Sequence, residues 1–494
     1  MSGRGKKHKN AIQLSLMVAL SLLVQALSLY KSHFTAVKFG ATEFMDAYNY
    51  AFSIAIFVFS FVTSGITTVI VPSYVKKEKP EVINSFITLI YSAVLLLVGM
   101  ILLFRFPLLR MLTANSDSFN QMVGDWLFIT FFIQGVTAFL AVTTAYFQCI
   151  DHFLVPKLVL LFVNLGVTAA MVSGMIQSLH SYLLLQSVAS VVSFVFDVGI
   201  CVALGFRYHP QFQWKNPETQ RLLLLFVPIL FSSGIYKIST FIDTTIAARL
   251  PEGRLTILSY ATHVINMVNN VVVGNLTVYI YPKIVRRLDQ EDHKKYFWDY
   301  QILFHAIIVM LAAGFFTVGR ECLALIFGGG KFSPADTRTL FILVCIYMFG
   351  QQLNVLRDLI YRYFYAQSDT KTPVKNSLLV SAVNISVSIV LAKMIGVYGI
   401  IIGTVVASLV SFARITWQMK MKFGLGVRFS GVLIEFLKTL MAFGTSVGSV
   451  FLLRSYVSIH NRLLTIGVFG TATAAVFILV LVVTRSKVFH VKLS

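Results

Sequence analysis

Ionisable side chains are scarce inside the long apolar stretches of this 494-residue chain, so the few present are its first candidates for chemistry. Lys31 closes the first stretch and Asp46 opens the second. Lys237 and Asp243 share a later one, six residues and about 240° apart on a helix, which keeps them from facing each other. His263, Arg357 with Asp358, and Glu435 with Lys438 complete the set. A charge at such a position costs at least about 2.5–3.5 kcal/mol in a bilayer and therefore points to function. Basic groups could meet an anionic ligand. Asp243 is the hardest to explain otherwise, because a mid-helix carboxylate needs a cation, a proton or water. Asn384 and Thr404 would be its oxygen partners if their helices pack beside it, giving a hard, oxygen-rich site suited to a small cation. Blander roles compete. Glu435 and Lys438, at i and i+3, form a same-face ion pair most simply. Lys31 and Asp46 could snorkel to an interface, and His263 could be a hydrogen-bonded packing residue. Arg357 and Asp358 are adjacent and are predicted not to face one another, so that one reaches the cavity, with a structural pairing as the competing role.

No catalytic constellation accompanies them. The chain has no P-loop, H-E-x-x-H, G-x-S-x-G or dinucleotide fingerprint, and Gly328-Gly329-Gly330 reads as a turn. Without a Walker motif, energy for any transport must come from an ion gradient, the membrane potential or the substrate gradient, and Na+ or H+ is the expected coupling ion. No other cofactor is expected. Cys149, Cys201, Cys322 and Cys345 lie far apart, without metal-ligand spacing, and read as small buried hydrophobes.

The elements that must position these residues follow from composition. Hydrophobic residues make up 57% and charged residues 12%, half the charge of a soluble domain and too little to cover a water-facing surface. The chain is therefore read as an integral membrane protein. Its net charge of +21 would suggest nucleic acid on a soluble protein, but no compact basic domain exists outside the apolar stretches. Basic loops that fix orientation and meet anionic membrane lipids are the better account, and no nucleic-acid partner is expected. The basic N-terminal segment followed by an apolar run lacks a small-residue cleavage site and reads as an uncleaved first span.

Apolar runs of about twenty residues mark spanning helices near 11–30, 46–71, 84–104, 123–148, 156–176, 181–204, 221–247, 258–281, 301–328, 337–363, 374–394, 397–418, 431–452 and 463–484. With both termini cytoplasmic, inside segments carry about twice the Lys and Arg of outside loops, as a multi-pass protein of that orientation requires. The mixed-charge segment 283–301 reads as a solvated connector. Two landmarks recur. Tyr146-Phe147 precede Pro156 by the ten residues that separate Tyr363-Phe364 from Pro373, and Tyr50-Ala51 precede Pro72 as Tyr260-Ala261 precede Pro282. The displacements of 217 and 210 residues map each span onto the one six helices later, so the halves keep one orientation, as in parallel repeats. The expected fold is an all-α polytopic membrane protein of about 14 helices, with two six-helix lobes in parallel repeat and a C-terminal pair. Its parts are a cytoplasmic tail (1–10), an N-lobe (11–204), a linker (205–220), a C-lobe (221–418), an appended pair (419–484) and a second tail (485–494). Two such lobes suit alternating access around a central cavity.

Four stretches resemble the MurJ (MviN) lipid II flippases of the MOP exporter superfamily: FGATEFMDAY (39–48) leading to VPSY (71–74), YFQCIDHFLVPK (146–157), FIDTTIAARLPEGRLTILSYA (241–261) running on to Tyr281-Pro282, and YAQSDTKTPVK (365–375). The resemblance implies no enzyme but a flippase of the bacterial cytoplasmic membrane, moving an undecaprenyl-diphosphate-linked peptidoglycan precursor from inner to outer leaflet. Cell-wall synthesis enzymes are implied partners. Family cavities are similar in carrying several arginines, where the matching positions here read Gln25, Lys31, Phe59 and His263. Asp46 matches a family aspartate and Asp243 matches an acidic position of a monovalent-cation site. The expected headgroup contacts are thus Lys31, Asp46, His263, Arg357 and Lys237, with Asp243, Asn384 and Thr404 for the cation. The altered basic set leaves room for another polyprenyl-linked glycan of the teichoic, capsular or O-antigen kind. A cation-coupled drug antiporter of the same superfamily is the remaining alternative.

Overall fold

The computed structural model describes residues 2–75, 78–274, 284, 293–367, 369–424 and 429–491. Residues 275–283, which include Pro282, residues 285–292 of the connector, Ser368, 425–428 and the last three residues of the C-terminal tail lie outside the described residues. The chain is an all-helical polytopic membrane protein. In order the helices are α1 (Ser2–Phe39), α2 (Glu43–Val75), α3 (Pro80–Leu103), α4 (Arg105–Thr113), α5 (Asp117–Cys149), α6 (Val155–Val172), α7 (Leu179–Ala203), α8 (Pro217–Ala248), α9 (Arg254–Val268), α10 (His293–Ile326), α11 (Pro334–Ala366), α12 (Lys371–Ile395), α13 (Val397–Phe423), α14 (Phe429–Tyr456) and α15 (Arg462–Val483). Apart from the short α4, each corresponds to one span expected from hydropathy. Eleven of them are, by length and composition among the described residues, long and apolar enough to cross a membrane. One turn of π-helix, Asn269–Val273, continues α9.

Local signals set the helix starts. Ser116 and Ser178 accept the amides of Phe119 and Ser181, Ser333 forms a capping box with Asp336, and Asn461 accepts two amides of α15. Prolines fall in the first turn of α3, α6, α8 and α11, where a missing N–H leaves no bond unmade. Two elements differ from the sequence reading. α4 is too short to span and was hidden between two apolar runs. α1 continues to Phe39, beyond the expected end at residue 30, because Tyr30, Phe34 and Phe39 pack on a buried cluster of Met45, Val167, Met171 and Tyr182. Tertiary packing thus carries a helix past the point where hydropathy falls.

The helices form two compact units, one of Met1–Thr35 with Phe39–Thr256 and one of Ala36–Lys38 with Ile257–Ser494. In the first, α2 packs on α5 and α8, and α7 packs on both α5 and α6. Phe57 stacks on Phe241 of α8 at 4.7 Å, and the Tyr50 hydroxyl meets Thr245 at 3.2 Å, so α8 is fastened to α2. In the second, α13 packs on α11 and α12, while α10 packs on α11, α14 and α15. The α12–α13 approach is close enough that a Cβ on Gly403 would lie 2.4 Å from Ser388 Oγ.

The repeat is visible in these contacts, since α5, α6 and α7 pack as α11, α12 and α13 do. It extends to single hydrogen bonds. Ile150 N donates to Tyr146 O and His152 N to Phe147 O; 217 residues on, Gln367 N donates to Tyr363 O and Asp369 N to Phe364 O.

Candidate functional site

Lys31 lies two turns before the end of α1, and its side chain is drawn onto α6. Its ammonium donates to Asn164 Oδ1 at 2.7 Å, while Asn164 Nδ2 donates to Leu160 O at 2.7 Å and so fixes the amide's orientation. An ammonium has three donors and Asn164 neutralises none of its charge. No carboxylate lies within ion-pair distance of Lys31 among the described residues. Lys31 is thus a half-buried cation oriented by a neutral amide, an arrangement that keeps its charge available to an anion. Asn164 was not singled out in the sequence; a lone Asn in an otherwise apolar run was the available signal.

Asp46 is buried, and both of its oxygens are engaged. Oδ2 accepts Gly253 N at 2.6 Å, and Oδ1 accepts Thr256 N at 2.7 Å and Thr256 Oγ1 at 2.6 Å. Asn49 adds a bond to the same hydroxyl at 3.1 Å. The carboxylate therefore caps the N-terminus of α9, where unpaired amides and the helix dipole favour an anion. Gly253 has φ +80°, and a Cβ there would lie 2.6 Å from Ala41 O, so the loop can close on α2 only with glycine. Neither Gly253 nor Thr256 was identified as a partner from sequence, although both lie in the quoted stretch 241–261.

Arg357 and Asp358 correct the expectation that adjacent residues would not meet. Nε and Nη2 of Arg357 donate to Asp358 Oδ1 at 3.0 and 2.8 Å, because the arginine side chain is long enough to fold back along the helix surface. Its carbon centre also lies 5.5 Å from the Tyr361 ring. Glu435 and Lys438 pair at 2.7 Å, as their spacing implies, and Glu435 also accepts Ser486 Oγ and Lys487 N of the C-terminal segment.

The other candidates are distributed between the units. Lys237 and Asp243 are half-buried on α8 in the first unit. In the second unit His263 on α9 and Thr404 on α13 are half-buried, and Asn384 on α12 is buried. Asn384 Oδ1 accepts Ser388 Oγ at 3.4 Å, and Thr404 Oγ1 donates to Ile400 O at 3.3 Å. Among the described residues no three His, Cys, Asp or Glu side chains are grouped closely enough to hold a metal ion.

Outside the spans, YAQSDTKTPVK builds a polar clasp. Asp369 accepts Thr372 N at 3.0 Å and Thr372 Oγ1 at 2.8 Å, and Lys422 at the end of α13 donates to Asp369 and Thr372 at 2.6 Å each. Partial burial raises the Asp369 carboxyl, but the Lys422 ammonium and the two Thr372 donors outweigh it and hold the group at about 2.

The family model for the lipid II flippase MurJ matches residues 35–469. The chain belongs to this family. Among its relatives, a protein of Thermotoga maritima named "Probable lipid II flippase MurJ" is 23% identical over 396 residues, covering 78% of this chain and 81% of the relative. One of Rickettsia prowazekii with the same name is 21% identical over 411 residues, covering 80% of each. The fold is similar to a solved structure of "Lipid II flippase MurJ, inward closed conformation", with TM-score 0.79, 17% identity, and 96% of this chain and 99% of that one covered. A MATE multidrug transporter of the MOP superfamily in an inward-facing conformation matches at TM-score 0.63 and 12% identity, covering 82% and 98%. Both kinds of neighbour share the all-helical fold of this chain.

Proposed function

We propose that this chain is a flippase that carries lipid II from the inner to the outer leaflet of the bacterial cytoplasmic membrane by alternating access, with both termini cytoplasmic. Membership of the lipid II flippase MurJ family over nearly the whole chain supports the reading, and the observation that carries its chemistry is Lys31. A diphosphate headgroup cannot cross hydrocarbon unshielded, and a half-buried ammonium held by an amide rather than a carboxylate supplies the opposite charge without a competing internal partner. His263, Arg357 and Lys237 are the further headgroup contacts. Asp243 would take the coupling cation, Na+ or H+. The undecaprenyl tail stays in lipid, anionic lipids meet the basic loops, and wall-synthesis enzymes receive the product.

The test is expression in a bacterium depleted of its own lipid II flippase, scoring survival and lipid II in the outer leaflet. Rescue by the native chain and by Lys31→Arg, but not by Lys31→Ala, is expected. Rescue by Lys31→Ala would remove the lysine from the transport chemistry. A second reading, a different polyprenyl-diphosphate glycan, is favoured by Gln25, Phe59 and His263 standing where arginines are expected. Failure of rescue with the protein present in the membrane would favour it.

A further inference from the structure

Asp197 is a carboxylate that nothing above uses. It lies on α7, six residues before the helix ends at Ala203 and so about 9 Å inside that end. The residue is 3% exposed, and Oδ1 has no hydrogen-bond partner among the described residues. Its place is set by contacts on either side along the same helix face. One turn before it, Phe194 meets Phe139 of α5 edge-on at 5.4 Å; one turn after it, Cys201 Sγ donates to Thr143 O of α5 at 3.8 Å. Asp197 is thus enclosed in the seam between α5 and α7, lined there by a ring, a thiol and backbone.

The titratable and charged groups around this seam are already committed. On α7 itself the neighbour is the Cys201 thiol. On α5 the nearest is Tyr146, whose hydroxyl donates to Leu204 O at 3.0 Å. From the segment after α7, Tyr208 lies against Phe139 and shares a hydrogen bond with Thr88 at 2.9 Å. α6, which also packs on α7, carries one charged residue, Lys157, and its ammonium donates to Ser21 Oγ at 2.6 Å. No cation pairs with Asp197 among the described residues. An ionised carboxylate without a partner is not retained in an apolar seam; the group neutralises instead. The simplest neutralising ligand is one that needs no coordination sphere.

We infer that Asp197 is a proton-binding site of the first unit, carrying a proton in the seam between α5 and α7 and releasing it when a conformational change admits water to that seam. One proton is taken up by the carboxylate and one is released to solvent per cycle, so nothing else is consumed. This site is separate from Asp243, and its role in transport rests on the flippase reading above, whereas its protonation does not.

The test uses the full chain, purified into lipid nanodiscs, and reads the infrared carbonyl stretch of protonated carboxyl groups. A band present in the native protein near neutral pH, lost in Asp197→Asn and restored at a shifted frequency in Asp197→Glu, is expected. The same band in Asp197→Asn as in the native protein would overturn the inference. So would a band that Na+ or K+ removes at constant pH, because the site would then hold a metal cation. In vesicles, flipping of a fluorescent lipid II should vary with pH by up to about tenfold per unit, as one titrating group permits. Asp197→Asn should flatten that profile, and Asp197→Glu should keep it. An unchanged profile in Asp197→Asn would remove the coupling. Absence of flipping by the native protein would count against the flippase reading, leaving the infrared result to decide on the proton.

Discussion

Replacing Asp46 by Asn tests the assignment of its carboxylate as the cap of α9. The substitution keeps shape and volume but exchanges one acceptor oxygen for an NH2 group. In the native chain Oδ1 serves both donors of Thr256 and Oδ2 serves the amide of Gly253. If the Asn oxygen takes the Oδ1 place, its NH2 confronts Gly253 N donor to donor. One charge-assisted bond is lost and the other two become neutral. A hydrogen bond to a charged group contributes about 1.5–3 kcal/mol, and the cap as a whole about 1–2 kcal/mol. The loss should therefore be about 2 kcal/mol, which is about a thirtyfold rise in local opening of the first turn of α9. Hydrogen exchange of the amides of Gly253 and Thr256, followed by mass spectrometry, reads that opening directly. Thr256→Val, which removes the hydroxyl's bonds to Asp46 and from Asn49 but keeps the Thr256 amide, should cost about 1–2 kcal/mol and couple non-additively with Asp46→Asn. Equal exchange of both amides in the native and Asp46→Asn proteins would refute the capping argument.

Glu435→Gln should free the C-terminal segment, because a carboxylate that is 2% exposed binds Lys438, Ser486 Oγ and Lys487 N at once. Removing one partner of a buried pair costs about 3 kcal/mol, so proteolysis after Arg485 should accelerate about a hundredfold; unchanged cleavage would count against it. Asp369→Asn should loosen the clasp to Lys422 by only about 0.2–1 kcal/mol, since the pair is partly exposed. The native carboxyl is held at about 2, below its ordinary value of 3.8. Its contribution is therefore complete above about pH 4 and is lost as pH falls toward 2. Exchange of the Thr372 amide should rise through that acid window in the native chain and show no such step in Asp369→Asn.

Much of the fold was legible because hydropathy and helix punctuation act locally. Every long helix coincides with an apolar run, and Pro80, Pro156, Pro217 and Pro334 stand in first turns where their ring is tolerated. The repeat was legible from the landmark pair Tyr146-Phe147 and Tyr363-Phe364, and the turn after them shows why: the same hydrogen bonds close the same turn 217 residues apart. What escaped was non-local. Nothing in the run 31–39 says that it continues as helix; that depends on Phe34 and Phe39 finding Met45, Met171 and Tyr182 across the unit.

The site divides along the same line. That Asp46 and Lys31 mattered could be read from their expense in an apolar setting, but their roles could not, because each is defined by a partner more than 130 residues away. Asp46 and Thr256 illustrate the difference. From sequence, an aspartate at a span boundary is a cavity charge or an interfacial one; in the structure it caps a distant helix and both oxygens are spent. Lys31 shows the converse. Its partner Asn164 orients the ammonium without cancelling it, so the lysine keeps the property that made it a candidate. Had residue 164 been an aspartate, Lys31 would be one more internal ion pair, and an anionic headgroup would have to break it to bind. Asn164→Asp should therefore weaken transport more than Asn164→Ala, because it adds a competing charge where the alanine removes only a positioning bond. Equal activity of the two variants in the depletion strain, at equal membrane abundance, would show that the charge on Lys31 is not what the substrate meets.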